Sequence, residues 1–212
     1  MVIVDRLHGD LSQRVAVATA ELPWTPRDGY EERVLEHADD RRTALLRLPP
    51  GVAVPIGGAG FFDLMVLEGA LRDSHSRFGA RRFVRDTADT RLTSDGCTVL
   101  LKHRFEGESS GMRIDTTRIA FRASTDGYVG VDFADLVREE TGAVVLMRMA
   151  PGASIPMHCH ELGEEMFVLD GELADQHGRY TRHHWVRQPP SSVHAVTSEG
   201  GALTLSFAHH LA

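Results

Sequence analysis

Cysteine is scarce in this chain, and the patterns that mark secretion, membrane insertion and nucleic-acid binding are missing. The 212 residues include two cysteines, Cys97 and Cys159, and no CxxC pair, which excludes a disulfide framework and favours a reducing cytoplasm. No apolar run is long enough to span a membrane, and the first residues lack the basic and apolar regions of a signal peptide. The formal net charge of −7 argues against a general nucleic-acid surface. We therefore expect a cytoplasmic protein with neither a nucleic-acid nor a membrane partner.

What the sequence does contain is typical of an all-β protein. Twenty glycines and nine prolines punctuate short apolar or alternating runs, as expected for many strands joined by tight turns. Helix content should be low, with at most a short helix or an arm in Leu11–Glu21. The strand-like runs are Thr43–Leu48, Thr98–Lys102, Ala143–Met149 and Ala202–Phe207.

The two halves of the chain are similar to each other. Between Val66–Arg85 and Val168–Arg187, nine of twenty positions are identical, where about one would be expected by chance. The segment Pro50–Pro55 likewise resembles Pro151–Pro156. This internal repeat predicts two tandem units of similar fold.

The repeat also gives approximate domain boundaries. We expect an arm, a first unit, a linker with a strand around Thr117–Phe121, and a second unit. These are residues 1–20, 21–105, 106–128 and 129–212.

Four residues of the second unit form a pattern that predicts a metal site. His158 and His160 are separated by one residue, so on a strand their side chains project to the same face while Cys159 projects to the other. Glu164 and His194 complete a set of three imidazoles and one carboxylate. Iron, zinc, manganese and nickel all accept such donors, and we expect iron or zinc first.

Local signals around this pattern suggest how the chain bends. Glu161–Gly163 gives room for a turn, after which Glu164 opens a second strand. Asp170 and Gly171 then predict a hairpin turn at the end of that strand. Glu165 is a competing carboxylate, but it would face the opposite side of the strand from Glu164.

The first unit lacks the candidate ligands. The repeat aligns Ile56–Ala59 with the two close histidines, Phe62 with Glu164, and Leu92 with His194. We therefore expect one metal per chain, in the second unit. The first unit would serve as a structural partner or, alternatively, would hold an apolar pocket.

The remaining histidines are expected to have other roles. His177 has a counterpart, His75, in the half without ligands, which points to support of a turn. Four histidines near strand ends or the terminus are expected to be solvated. These are His183, His184, His209 and His210.

Taken together, the pattern resembles the cupin superfamily of small β-barrels. Gly152 to Gly171 reads G-x5-H-x-H-x3-E-x6-G, the first cupin motif, and Pro189 and His194 match the second motif, in which Ser191 replaces a glycine. Segments Asp175–Tyr180 and Trp185–Pro190 are similar to the ChrR-like cupin group. The resemblance implies two tandem jelly-roll-like barrels of the double-stranded β-helix type, with His158, His160, Glu164 and His194 as the metal ligands.

The resemblance leaves the function class open. The ChrR-like group includes diketone and acetophenone dioxygenases and the cupin domain of an anti-sigma factor. A non-haem metal enzyme acting on a small diketone or hydroxyketone held in the second barrel is favoured, because the CxxC of the sigma-binding domain is missing. A zinc-binding regulatory or sensory cupin and a ligand-binding cupin without activity are the alternatives. Tyr180, Glu165 and His184 are candidates for a general acid or base, although no motif fixes any of them. A homodimer is compatible with the sequence.

Overall fold

A computed structural model describes residues 6–109, 111–140 and 142–208 of the chain. The described residues form antiparallel β-strands and one turn of 3-10 helix, so the all-β prediction is confirmed. None of them lies in a helix long and apolar enough to cross a membrane. His209 and His210 lie outside the described residues. In chain order the strands are β1 (Val15–Ala18), β2 (Thr25–Pro26), β3 (Glu31–His37), β4 (Arg41–Leu48), β5 (Phe61–Arg72), β6 (Arg77–Gly79), β7 (Arg82–Thr87), β8 (Thr93–Arg104), β9 (Met112–Asp115), β10 (Arg122–Ala123), β11 (Val129–Glu139), β12 (Gly142–His160), β13 (Glu164–Asp175), β14 (Gly178–Thr181), β15 (His184–Gln188), β16 (Ser192–Ser198) and β17 (Ala202–Ala208).

The chain divides into two compact units. One contains Leu22–Ile119 together with the start of the chain, and the other contains Asp10–Glu21 with the remainder from Ala120. The segment Asp10–Glu21, which the sequence suggested was an arm, thus belongs to the second unit. Its suspected helix is only the 3-10 turn Thr19–Glu21, which follows strand β1.

The first unit is built on an eight-stranded antiparallel sheet in the order β2-β3-β4-β8-β5-β7-β9, with β6 paired to β5. Alternation along β4, β5 and β8 turns one apolar face of each strand inwards. The core includes Leu64, Val84 and Leu101, and Phe62 and Leu92 are buried within it.

The second unit is built on a nine-stranded sheet in the order β1-β15-β13-β16-β12-β11-β10, with β14 paired to β13. Four strands close on one another, because β12 pairs with both β16 and β17, and β13 pairs with the same two. The enclosed core includes Met166, Val168, Leu173 and Val196. Two of these four strands, β12 and β16, carry the histidines of the predicted site.

The hairpin predicted at Asp170 and Gly171 is wrong. Strand β13 continues through this dipeptide with a bulge between Val168 and Asp170, and the chain turns only after Asp175. Gly171 has a φ of 70°, and an added Cβ would lie 2.1 Å from the carbonyl oxygen of Gly201. Close backbone approach at a bulge, and not a turn, therefore requires this glycine.

The strand expected around Thr117–Phe121 is also absent. Thr116 and Thr117 lie in a turn between β9 and β10. The Asp115 carboxylate accepts hydrogen bonds from both the backbone N–H and the hydroxyl of Thr117, at 3.1 and 2.6 Å. This side-chain capture offers the backbone an alternative to a strand ladder.

Candidate metal centre

The register of two neighbouring strands brings the histidines together. His158 on β12 lies directly opposite His194 on β16, and His160 lies opposite Ser192. Ser191, just before β16, has a φ of 64° and its N–H donates to the carbonyl of His160 at 2.8 Å. Serine at the position where the cupin motif has glycine thus adopts the left-handed conformation that a glycine would favour, and the turn is retained.

Three imidazoles form a compact cluster. One ring nitrogen from each of His158, His160 and His194 lies within 4.8 Å of the others. The Nε2 atoms of His160 and His194 are 2.9 Å apart. The three ring centroids are 4.7 to 4.9 Å from one another, so the rings surround one point.

Glu164 lies beside this cluster. Its Oε2 is 3.5 Å from Nε2 of His160, and the chain reaches it through the turn at Glu161–Gly163. Glu165 is fully buried on the other face of β13, opposite Arg187 in the register. Of the two neighbouring glutamates, the structure places Glu164 next to the histidines.

The donor atoms fit a transition metal. Two atoms that each bind one ion at about 2.1 Å lie about 3.0 Å apart at a right angle and about 4.2 Å apart when opposite. The spacings of 2.9, 3.5 and up to 4.8 Å are close to these values. Nδ1 of His158 is 3.0 Å from the carbonyl oxygen of Pro156, which can only accept, so the proton sits on Nδ1 and leaves Nε2 for a metal.

Asp175 accepts a hydrogen bond from Nδ1 of His194, as the Pro156 carbonyl does from His158. Its Oδ2 is 3.2 Å from Nδ1 of His194, while Oδ1 accepts hydrogen bonds from the Tyr180 hydroxyl at 2.7 Å and the His177 N–H at 2.8 Å. Burial acts to raise the pKa of Asp175, but these donors and the charge of Arg14 lower it below the usual range. Burial lowers the pKa of His194, which favours the neutral imidazole that a metal requires.

Most of the other candidates named from sequence lie away from the cluster's donor atoms. Tyr180 is buried and donates to Asp175, and burial together with that carboxylate raises its pKa, so it keeps its proton. The His184 ring contacts Thr181, and His183 stacks on Phe167, so both are only partly solvated. Cys159 is exposed on the opposite face of β12.

Tyr128 is a neighbour of the cluster that the motifs did not identify. Its ring centroid is 6.1 Å from that of His158, and its ring packs against the core of the second unit beside Phe133. Burial, with the charges of Asp126 and Glu164, raises the pKa of its hydroxyl. Tyr128 lies just before strand β11 and belongs to neither cupin motif.

Among the described residues of the first unit, no comparable cluster is found. Phe62 and Leu92 occupy the places aligned with Glu164 and His194, and their side chains are 0% and 1% exposed. Throughout residues 6–109, 111–140 and 142–208, the three histidines of β12 and β16 are the one group with metal-binding geometry.

Comparisons with known proteins agree with this fold. Residues 109–212 match the ChrR cupin-like domain. A candidate dioxygenase from Nostoc punctiforme superposes with a TM-score of 0.75 at 17% identity, covering 94% of this chain and 84% of that one. A cupin 2 conserved barrel domain protein from Leptotrichia buccalis gives 0.65 at 13% identity, covering 92% and 95%. A variant of oxalate decarboxylase from Bacillus subtilis gives 0.64 at 13% identity, covering 96% and 78%.

At such identities the solved structures establish the fold alone. No curated protein sequence matches this chain. The match to the ChrR cupin-like domain, by contrast, includes strands β12 to β17, in which all four motif residues lie. The chain therefore has the cupin fold, and its residues 109–212 are similar to the ChrR cupin-like domain.

Proposed function

We propose that this chain is a tandem cupin that binds one transition metal in its second barrel and oxidatively cleaves a small diketone or hydroxyketone. The tandem arrangement is supported by two sheets, each with its own apolar core, and by the internal sequence repeat. The partner of the protein is then a small-molecule substrate that enters the second barrel.

The accessibility of the donors carries this proposal. The side chains of His160 and Glu164 are 14% and 18% exposed, so solvent reaches the cluster. A structural zinc site is closed by four protein ligands, whereas a catalytic site keeps a position for water or substrate. Three imidazoles and one carboxylate would leave a six-coordinate ion with two positions for a chelating diketone.

The donor set limits the metal without selecting one. Iron is the metal we expect for this reaction, and zinc, manganese and nickel also accept these ligands. When bound, such a metal polarises the substrate oxygen as a Lewis acid, and iron also supplies reactivity towards dioxygen.

Residues around the cluster would orient the substrate. The Tyr128 hydroxyl keeps its proton, because burial raises its pKa, and it can donate a hydrogen bond to a carbonyl oxygen.

Oxygen consumption by the iron-loaded protein tests the proposal. Cleavage of a β-diketone takes up one dioxygen, breaks one C–C bond, and leaves both oxygen atoms in a carboxylic acid and a dicarbonyl product. We expect the Fe(II) form to cleave acetylacetone to acetic acid and methylglyoxal, and 2-hydroxyacetophenone to benzoic acid and formic acid. Each pair of products should form in amounts equal to the oxygen consumed. The His158→Ala variant supplies the control for free iron. Failure of the iron-loaded wild type on both compounds would refute the dioxygenase proposal.

A regulatory or sensory zinc module is the second candidate. It is favoured by the match of residues 109–212 to the ChrR cupin-like domain. The Nostoc and Bacillus neighbours, described as a candidate dioxygenase and an oxalate decarboxylase, support the enzyme instead. Elemental analysis of protein purified without a metal-affinity step separates the two, because tightly bound zinc with no exchangeable ligand supports regulation.

A further inference from the structure

We infer that Arg14, Tyr180 and Asp175 are positioning residues that hold His194 ready to bind the metal, so the segment Asp10–Glu21 is a working part of the centre. This inference rests on the metal site of the proposed function, but it does not depend on the reaction. It follows from a chain of hydrogen bonds that leads from the segment to a ring nitrogen.

The first link is between Asp175 and His194. Both side chains are almost fully buried, at 1% and 6% exposure, and Oδ2 lies 3.2 Å from Nδ1. An ionised carboxylate only accepts hydrogen bonds, so Nδ1 must carry the proton and Nε2 keeps its lone pair. Such outer partners fix the tautomer and orientation of metal-binding histidines.

The neighbouring amide of Gln188 explains why His194 needs the Asp175 carboxylate to keep its proton on Nδ1. Nε2 of Gln188 is 3.1 Å from Nδ1 of His194 and 3.2 Å from Oδ2 of Asp175. If the amide donated to Nδ1, the imidazole proton would move to Nε2 and block metal binding. Asp175 accepts from both groups and so removes that arrangement.

The second link holds Asp175 itself. The Tyr180 hydroxyl donates to Oδ1 at 2.7 Å, and Nη2 of Arg14 donates in turn to the Tyr180 oxygen. Nη2 of Arg14 is also 3.6 Å from Oδ2 of Asp175. The guanidinium therefore compensates the buried carboxylate both directly and through the phenol.

The third link fixes Arg14 in place. Strand β1 pairs with β15, with Ala16 opposite Val186. Nη2 of Arg187 donates to the carbonyl oxygens of Asp10 and Gln13, at 2.8 and 3.3 Å. The segment is thus anchored on both sides of Arg14, as a positioning residue requires.

The repeat provides independent support. Asp73 in the first unit makes the same turn as Asp175, because its Oδ1 accepts from the N–H groups of His75 and Ser76, both at 2.8 Å. In that unit Phe78 stands where Tyr180 stands in the second, and Leu92 stands in place of His194. The aspartate therefore serves the turn in both units, whereas the phenol occurs only beside the histidines.

Metal affinity of the full-length chain tests the inference. Asp175→Asn keeps an oxygen for the turn but presents an amide donor to Nδ1, which favours the wrong tautomer. We expect zinc or cobalt affinity, measured by competition with a chelator, to fall about 10- to 100-fold. Tyr180→Phe and Arg14→Met should each weaken binding several-fold, and Arg14→Lys should restore most of the loss. The visible spectrum of bound cobalt should change in Asp175→Asn.

Asp73→Asn is the matched control, since it alters the same turn in the unit where Leu92 stands in place of His194. It should leave cobalt affinity and spectrum unchanged whatever its effect on stability. Asp175→Asn that binds within twofold of wild type, with the wild-type spectrum, would overturn the inference. A wild type that binds no metal would instead refute the proposed function on which the inference rests.

Discussion

Replacement of His194 by alanine offers the sharpest test of the metal centre. The side chain is 6% exposed and supplies the one proposed ligand that comes from β16, so its loss should abolish tight binding. A metal present at 100 times its Kd stabilises the folded state by about 2.7 kcal/mol, whereas a variant whose Kd exceeds the metal concentration gains less than about 0.4 kcal/mol. The metal-induced increase in unfolding free energy should therefore fall by more than 2 kcal/mol, about the whole effect.

The measurement is denaturation of metal-free protein with and without added zinc, together with elemental analysis. The metal-free variant should itself lose about 1 to 3 kcal/mol, because Oδ2 of Asp175 loses the imidazole donor. Leu92→Ala in the first unit is the control at the repeat-equivalent position. It should cost about 2 to 5 kcal/mol as a core truncation, yet keep the full response to zinc. A His194→Ala variant that retains one tightly bound metal and the full response would refute the assignment of this residue as a ligand.

Three further predictions follow from the same geometry. Glu164→Gln should weaken metal binding, whereas Glu165→Gln should alter the unfolding free energy and leave metal affinity unchanged. Titration of both variants with metal measures the two affinities. The reverse result would mean that Glu165 faces the metal. Burial lowers the pKa of His194, so below about pH 6.5 the unfolded chain takes up a proton more readily than the folded protein does. Both the unfolding free energy and the amount of bound metal should therefore decrease as the pH falls. Metal retained unchanged at pH about 4 would contradict three histidine ligands. Ser191→Gly should raise the unfolding free energy by up to about 1 kcal/mol, because residue 191 has a φ of 64°. The control Ser192→Gly, in β16, should lower the unfolding free energy. Equal losses in the two variants would argue against backbone strain at Ser191.

Local rules were sufficient to predict part of the site. The i, i+2 spacing of His158 and His160 depends only on alternation along a strand, and the repeat identified the half that lacks the donors. The convergence of His194 with them was anticipated by the second motif, although spacing alone does not determine the register that places it opposite His158.

Other features depend on contacts that no local pattern contains. Asp170 and Gly171 carry a turn signal, but the approach of the Gly201 carbonyl converts the position into a bulge within β13. The role of Asp175 requires β13 to curve until Ala174 pairs with Thr197 of β16. Arg14 contacts Tyr180 across 166 residues of sequence, through a pairing of β1 with β15 that no local pattern predicts.

Comparison of the two units indicates that a metal centre requires supporting residues such as Asp175 and Tyr180 in addition to the metal-binding side chains. Leu92→His in the first unit would add the repeat-equivalent donor next to buried Phe62, with neither a glutamate nor a phenol at the aligned positions. A buried imidazole without partners costs about 1 to 3 kcal/mol, so we expect this variant to be less stable than wild type and to bind no second metal. Denaturation and elemental analysis measure both outcomes. A second tightly bound equivalent in Leu92→His would show that the backbone shared by the two units is sufficient to build the site, and that the network around Asp175 is dispensable.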